Sequence, residues 1–182
     1  MGYEAITAES TLVLAISTIL LVVFTLCIGW AQIKANKNVA GLQILLRLVE
    51  RYESKELRET RNNLGMQLHS IGAPVPQNAE EILDFFETIG YMAKQKLIDR
   101  KLAWNDFSIP VLCYWSALEP FVHKMREQYD DKTVYEEAEW LYHFMLKKER
   151  SRRQNPSYTI LQDILNEFFR SETSATIPRY SE

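Results

Sequence analysis

Between Ser10 and Ile33 the chain carries no charged side chain: STLVLAISTILLVVFTLCIGWAQI. Few folds can accommodate such a run. As a helix its 24 residues rise ~1.5 Å each and span roughly 36 Å, slightly more than the ~30 Å hydrocarbon layer of a bilayer. The Ser and Thr residues inside it are tolerable, because their hydroxyls bond back to a carbonyl one turn earlier. Trp30 suits an interfacial belt at one end, and Tyr3 the other side. A cleaved signal peptide would need a basic start, a shorter apolar run and a small-x-small cleavage site. Here the start carries Glu4 and Glu9 and neither Lys nor Arg, and Leu26 precedes Cys27 where a lipoprotein site wants a small residue. The expectation is a retained transmembrane helix over residues 10–33.

The flanks set an orientation. All 21 Lys and Arg lie beyond residue 33, beginning with Lys34 and Lys37, and basic residues beside a span favour the cytoplasm. The expected layout has a short extracytoplasmic N-terminus over residues 1–9. A cytoplasmic helical domain follows over residues 34–170, and a flexible tail over residues 171–182. The protein is then single-pass in the inner (plasma) membrane, with integral lipid contact. Set against 24 acidic residues, the basic ones leave a net charge of −3. That balance makes nucleic acid an unexpected partner. Two cysteines far apart, Cys27 and Cys113, imply no disulfide framework. Thr25 and Gly29 make one small-xxx-small pair through which two spans could approach.

Beyond the anchor the apolar period is helical and no alternating strand pattern appears. The fold class expected is all-α, with the N-terminal transmembrane helix followed by a bundle of five or six helices. Val39, Leu42, Leu46 and Val49 form one stripe; Ser54 caps a second helix carrying Leu57, Leu64, Leu68 and Ile71. IGAPVP at 71–76 breaks the chain. Asn78 with Glu81 reads as a capping box for a helix with Ile82, Leu83, Phe85, Phe86, Ile89 and Met92. A short helix after Asp99 ends near Phe107, and Pro110 then opens another, since proline's missing N–H is harmless in a first turn. Its core stripe is Val111, Tyr114, Trp115, Leu118, Phe121, Val122 and Met125, with a kink at Pro120. Thr133 with Glu136 reads as a second capping box, for a helix burying Val134, Ala138, Leu141 and Met145. A last helix after Pro156 turns Ile160, Leu161, Ile164, Leu165 and Phe168 inward.

The blocks LLRLVERYESKELRETR, ILDFFETIGYMAKQKLID and CYWSALEPFV resemble those of an uncharacterised bacterial family. Its members are small single-pass membrane-anchored proteins with a helical domain of unknown function. The resemblance covers roughly residues 42–125. It implies the same architecture and carries no activity; its motifs are apolar and aromatic positions, a packing signature. A role as a membrane-tethered defence or stress effector follows only from family type.

Two Glu-xxx-His pairs, Glu119/His123 and Glu139/His143, are the sharpest chemical signal. Residues four apart share a helix face. In an antiparallel hairpin Glu119 lies level with His143 and His123 with Glu139, and two carboxylates with two imidazoles are reasonable ligands for zinc or iron. The pairs flank the core without pointing into it, at about 100–140° from Leu118 and Ala138, and hairpin handedness decides whether they meet. Di-iron bundles use the Glu-x-x-His spacing instead. The solvated reading, i,i+4 ion pairs on two wet faces, is therefore preferred, with a metal-dependent enzyme as the alternative and no cofactor assigned.

The stretch KKERSRR offers Lys147, Lys148, Arg150, Arg152 and Arg153 either as cations favoured near a helix C-terminus or as contacts to anionic headgroups. Glu80, Glu81, Asp84 and Glu87 read as a solvated face, His69 as a surface or capping residue, and Cys113 as a small buried apolar group. Trp140 and Phe144 lie off their helix's core stripe, either packed on a second layer or exposed to a partner. No nucleophile motif, P-loop or dinucleotide fingerprint is present. The function expected is a membrane-anchored helical interaction or scaffold domain that binds a protein partner or itself, without an assigned catalytic role.

Overall fold

The structure is a computed structural model that describes residues 2–69 and 78–174, with side chains described from residue 16 onward except that of His69. The described residues form six α-helices and no strand: α1 Gly2–Tyr52, α2 Lys55–His69, α3 Ala79–Lys94, α4 Arg100–Tyr129, α5 Glu136–Arg152 and α6 Gln162–Ser174. Two compact units result, Met1–Ala40 and Gly41–Glu182.

In the first unit the described apolar side chains of α1, from Ile16 onward, are uncovered. Ile19, Leu20, Leu21, Phe24, Leu26 and Trp30 are all exposed, and the stretch is long and apolar enough to cross a membrane. The Thr25 hydroxyl donates to the Leu21 carbonyl at 2.8 Å, so a polar group inside the run is satisfied within its own helix. At the run's end Lys34 Nζ lies 5.4 Å from the Trp30 ring centroid.

In the second unit the end of α1 buries Leu45, Leu48 and Tyr52, with Ile44 and Val49 half-buried. This corrects the expected stripe: Val39, Leu42 and Leu46 are exposed. Gly41 fixes the inward face. A Cβ there would stand 2.8 Å from the Leu97 carbonyl oxygen, so the α3–α4 turn packs on bare backbone. Ser54 Oγ accepts from Leu57 N and caps α2 as expected.

The core runs along α3, whose Ile82, Leu83, Phe85, Phe86 and Ile89 are buried. Phe85 stacks on Tyr52 with centroids 5.6 Å apart and meets Phe107 edge-on at 5.9 Å. Phe86 leads to Tyr114 at 5.9 Å, and Tyr114 meets Phe168 and Phe169 of α6 at 5.3 and 5.4 Å. Such aromatic contacts add about 0.5–1.5 kcal/mol each beyond area burial. Gly90 lets α3 and α5 touch: a Cβ there would collide with the Glu137 carbonyl.

Several local expectations are corrected. Asn78 has a left-handed backbone and makes no side-chain cap; Glu81 instead accepts from the Thr60 hydroxyl at 2.8 Å. Tyr135, not Thr133, precedes α5, and Thr133 bonds Asp131. Residues 100–129 are one helix with Pro110 and Pro120 inside it. Asp99 starts it by accepting from Lys101 N and Leu102 N. The buried row Ala103, Phe107, Val111, Tyr114, Leu118 and Val122 runs through both prolines, so burial on one face outweighs the lost backbone bonds. The last helix begins at Gln162, not directly after Pro156, and Tyr158 and Ile160 are buried from the extended segment before it while Leu161 is exposed. It also runs to Ser174, so residues 171–174 are helix where tail was expected. Residues 71–76 and 175–182 lie outside the described residues.

Candidate functional site

Each of the two Glu-xxx-His pairs brings its histidine towards the glutamate one turn away on the same helix. His123 Nε2 is 3.9 Å from Glu119 Oε1, and His143 Nε2 is 3.8 Å from Glu139 Oε1. Both imidazoles are well exposed, at 59% and 65%. Glu139 spends its other oxygen on Arg126, whose NH2 lies 2.8 Å from Oε2, while Arg126 Nε donates to the Val134 carbonyl. A cation thus already sits where a metal would need a free carboxylate edge. Among the described residues no group of three or more His, Cys, Asp or Glu is placed to hold a metal ion.

The basic stretch is partly consumed by the fold. Glu149 is 1% exposed, and Arg152 and Arg153 each approach its Oε2 at 3.0 Å. Arg150 Nε donates to the Tyr158 carbonyl, and Arg153 lies over the Tyr158 ring. Lys148 and Arg152 cover the Trp104 ring at 4.3 and 5.5 Å. Lys147 remains exposed. Trp140 and Phe144 stack at 5.6 Å with planes 10° apart, half-buried against the core, and Arg100 covers Trp140 at 5.2 Å. The same Arg100 donates to the Ala93 and Lys94 carbonyls at the end of α3. This pair joins elements together.

Of the acidic group on α3, Glu87 is half-buried. Its Oε2 accepts from Ala138 N at 2.7 Å, capping α5 across helices, and burial raises its pKa above the usual range. Cys113 is fully buried, and that burial pushes its thiol up to about 12, which leaves it protonated and inert.

A buried charge cluster that joins distant parts of the chain escaped the sequence reading. Arg61 on α2 is 5% exposed. Its NH1 lies 3.2 Å from Glu172 Oε1 on α6, and its guanidinium sits 3.7 Å from the Tyr52 ring centroid. The Tyr114 hydroxyl donates to Glu172 Oε2 at 3.3 Å, and Asn62 Nδ2 donates to the Thr173 carbonyl. Burial raises the Glu172 pKa, more than Arg61 and the Tyr114 bond lower it. Tyr114 is likewise pushed well above the usual phenol range by burial and then by Glu172. A signal did exist: Arg61 falls between Leu57 and Leu64 on the apolar face of α2, where a charge demands a buried partner.

The sequence matches the model of a domain of unknown function, DUF4760, over residues 6–145. The chain belongs to the DUF4760 family. No curated protein and no solved structure matches it. The DUF4760 match takes in α1 to α4 and the first part of α5. Arg61, Asn62, Tyr52 and Tyr114 are inside the DUF4760 domain; α6, which supplies Glu172, lies beyond it.

Proposed function

We propose that this DUF4760 chain is a single-pass membrane-anchored interaction domain. Residues 10–33 lie in the inner membrane, the N-terminus is outside, and the helical unit meets a partner protein in the cytoplasm. The observation that carries the reading is the uncovered apolar surface of α1 from Ile16 to Ile33. Each such side chain costs about 1.5–3 kcal/mol to leave in water rather than bury, so a lipid environment is the economical one. Support for the orientation comes from Lys34 and Lys37 on one flank and Glu4 and Glu9 on the other.

The test is alkaline carbonate extraction of expressed membranes, followed by protease treatment of sealed vesicles of known sidedness. Retention in the pellet, with cleavage of the helical unit only from the cytoplasmic side, is expected. Release into the supernatant overturns the anchor; cleavage from the opposite side overturns the orientation. Cross-linking followed by co-purification in detergent then tests the interaction role. A protein recovered with the wild-type chain at fixed ratio supports it; no such protein, and no self-association, overturns it.

A further inference from the structure

The turn between α3 and α4, residues 95–99, is firmly held and yet displays apolar groups. Ile98 is buried beneath it. Arg100 donates to the Ala93 and Lys94 carbonyls, and Asp99 accepts from the first backbone N–H groups of α4. Leu97 and Leu102, on either side of these ties, are exposed. Two exposed leucines are ordinary by themselves; the cations around them give the surface its character.

Lys96 and Lys101 adjoin the leucines in the chain and are exposed. The ion pairs of this region join Lys94 to Glu137 and Arg152 to Glu149. Among the described residues Lys96 and Lys101 take part in none. A third cation, Lys148 of α5, lies 4.3 Å from the ring of Trp104, about one turn along α4 from Lys101. Burial, and after it Lys101, lower the Lys148 pKa against the opposing pull of Asp99, so the two ammonium groups stand close enough to repel. Asp106, one turn beyond Leu102, is also exposed. Exposed apolar groups set among cations suit an anionic interface.

The chain itself brings such an interface near. The backbone of Leu97 packs on Gly41, where a Cβ would stand 2.8 Å from its carbonyl oxygen. Gly41 opens the second unit and comes eight residues after Ile33, the end of the uncharged run. Those residues are helical, so at ~1.5 Å each they reach about 12 Å, of which the headgroup layer takes up about 5–7 Å. The remainder is within the Debye length of ~8 Å. This bound comes from chain length and holds for any direction of the second unit.

We propose that the α3–α4 turn docks the second unit on an anionic lipid surface, with Leu97 and Leu102 entering the headgroup layer and Lys96, Lys101 and Lys148 facing the anionic headgroups. The proposal rests on the reading of residues 10–33 as a membrane anchor and adds the face that the second unit turns to the lipid. The anchor supplies closeness; the lysines and leucines select the face.

The test uses the full chain, one copy per lipid nanodisc. A Cys27→Ser, Leu97→Cys chain carries an apolar fluorophore at residue 97, while Cys113 is buried and stays unlabelled. The quencher is a nitroxide placed shallowly on the lipid acyl chain. Strong quenching is expected in discs containing phosphatidylserine and weak quenching in discs of phosphatidylcholine, with the difference removed by high salt. A Tyr129→Cys probe at the far end of α4 should be quenched in neither. Lys96→Asn combined with Lys101→Gln removes two of the cations, and Asn suits the left-handed backbone at residue 96, where φ is 58°. Each ammonium near an anionic surface is worth about fivefold, so the double variant should lower the docked-to-undocked ratio roughly thirtyfold in serine lipid. Equal quenching at residue 97 in the two lipids, or quenching that the double variant leaves unchanged, overturns the proposal. So does shielding of residue 97 that requires two copies in one disc, which assigns the face to a second copy. A chain that leaves the disc overturns the anchor reading and the docking with it; a chain that stays while residue 97 is unquenched sinks the docking alone.

Discussion

Arg61 and Glu172 show how one residue can be costly and still indispensable. Removing one partner from a buried ion pair strands the other charge and costs about 3–5 kcal/mol, whereas replacing both with apolar groups is often neutral. Glu172 also ties stability to pH. Its folded pKa is raised, burial outweighing the lowering by Arg61, the Tyr114 hydrogen bond and Arg58, with Glu53 adding to the rise. A raised folded pKa means that the folded state holds the proton more tightly than the unfolded chain. The stabilisation is therefore complete below the ordinary value of 4.5 and is lost as pH rises through the folded pKa. Comparing urea midpoints of wild type and Glu172→Gln across that range checks this. Wild type should fall more steeply from about pH 4.5 towards neutrality. Glu87 titrates in the same sense but is present in both proteins and cancels. Parallel profiles would mean that Glu172 is solvated in solution.

Among the elements, the α3–α5 contact is the most exacting. Gly90 meets the Glu137 carbonyl with no room for a Cβ, and nearby Glu87 caps α5 at Ala138 N while Lys94 pairs with Glu137 at 2.9 Å. Gly90→Ala would ordinarily gain about 0.5–1 kcal/mol in a helix interior. Here the collision is with backbone, which cannot rotate away, and overpacking costs about 1–3 kcal/mol. The net expectation is destabilisation, read as a lower thermal midpoint. Asp99→Ala, which removes the α4 cap bonds at 2.7 and 2.9 Å, should cost about 1 kcal/mol and serves as the reference. A Gly90→Ala protein as stable as wild type would show that α3 and α5 stand further apart in solution. Capping was the least legible level in the sequence. The Asn78/Glu81 and Thr133/Glu136 spacings fit a capping box, yet cross-helix bonds to Thr60 and from Ala138 N took over those ends.

For the whole molecule, the long uncovered helix is the feature on which the proposed location rests. A single charge at the centre of the span tests it. Leu21→Arg adds about 2.5–3.5 kcal/mol to membrane insertion, and Leu21 is an exposed residue of the first unit that forms no part of the buried core. The variant should be released by carbonate to a greater extent than wild type while the helical unit keeps its thermal midpoint. Unchanged retention would mean that something other than residues 10–33 holds the chain at the membrane. The histidine pairs belong to this scale too, because only the assembled hairpin decides whether they meet; each histidine faces the glutamate of its own helix, and Glu139 also holds Arg126 of the neighbouring helix.

The all-α class, the apolar run and most of the α3 and α4 core positions were legible from period and composition alone, because burial of one helix face imposes a spacing that no other structure shares. The inward face at the end of α1 was not legible. Leu42 and Leu46 have the right spacing, but Gly41 and the backbone of Leu97 chose Leu45 and Leu48. Nor was the joining of residues 100–129 into one helix, since a proline's local cost is visible in sequence and the compensating burial along Phe107, Val111, Tyr114 and Leu118 is not. The Arg61–Glu172 pair lies furthest from sequence reach. Its partners are 111 residues apart, and a charge pair across that distance leaves no local period. Only the folding of α6 onto α2 brings the two together.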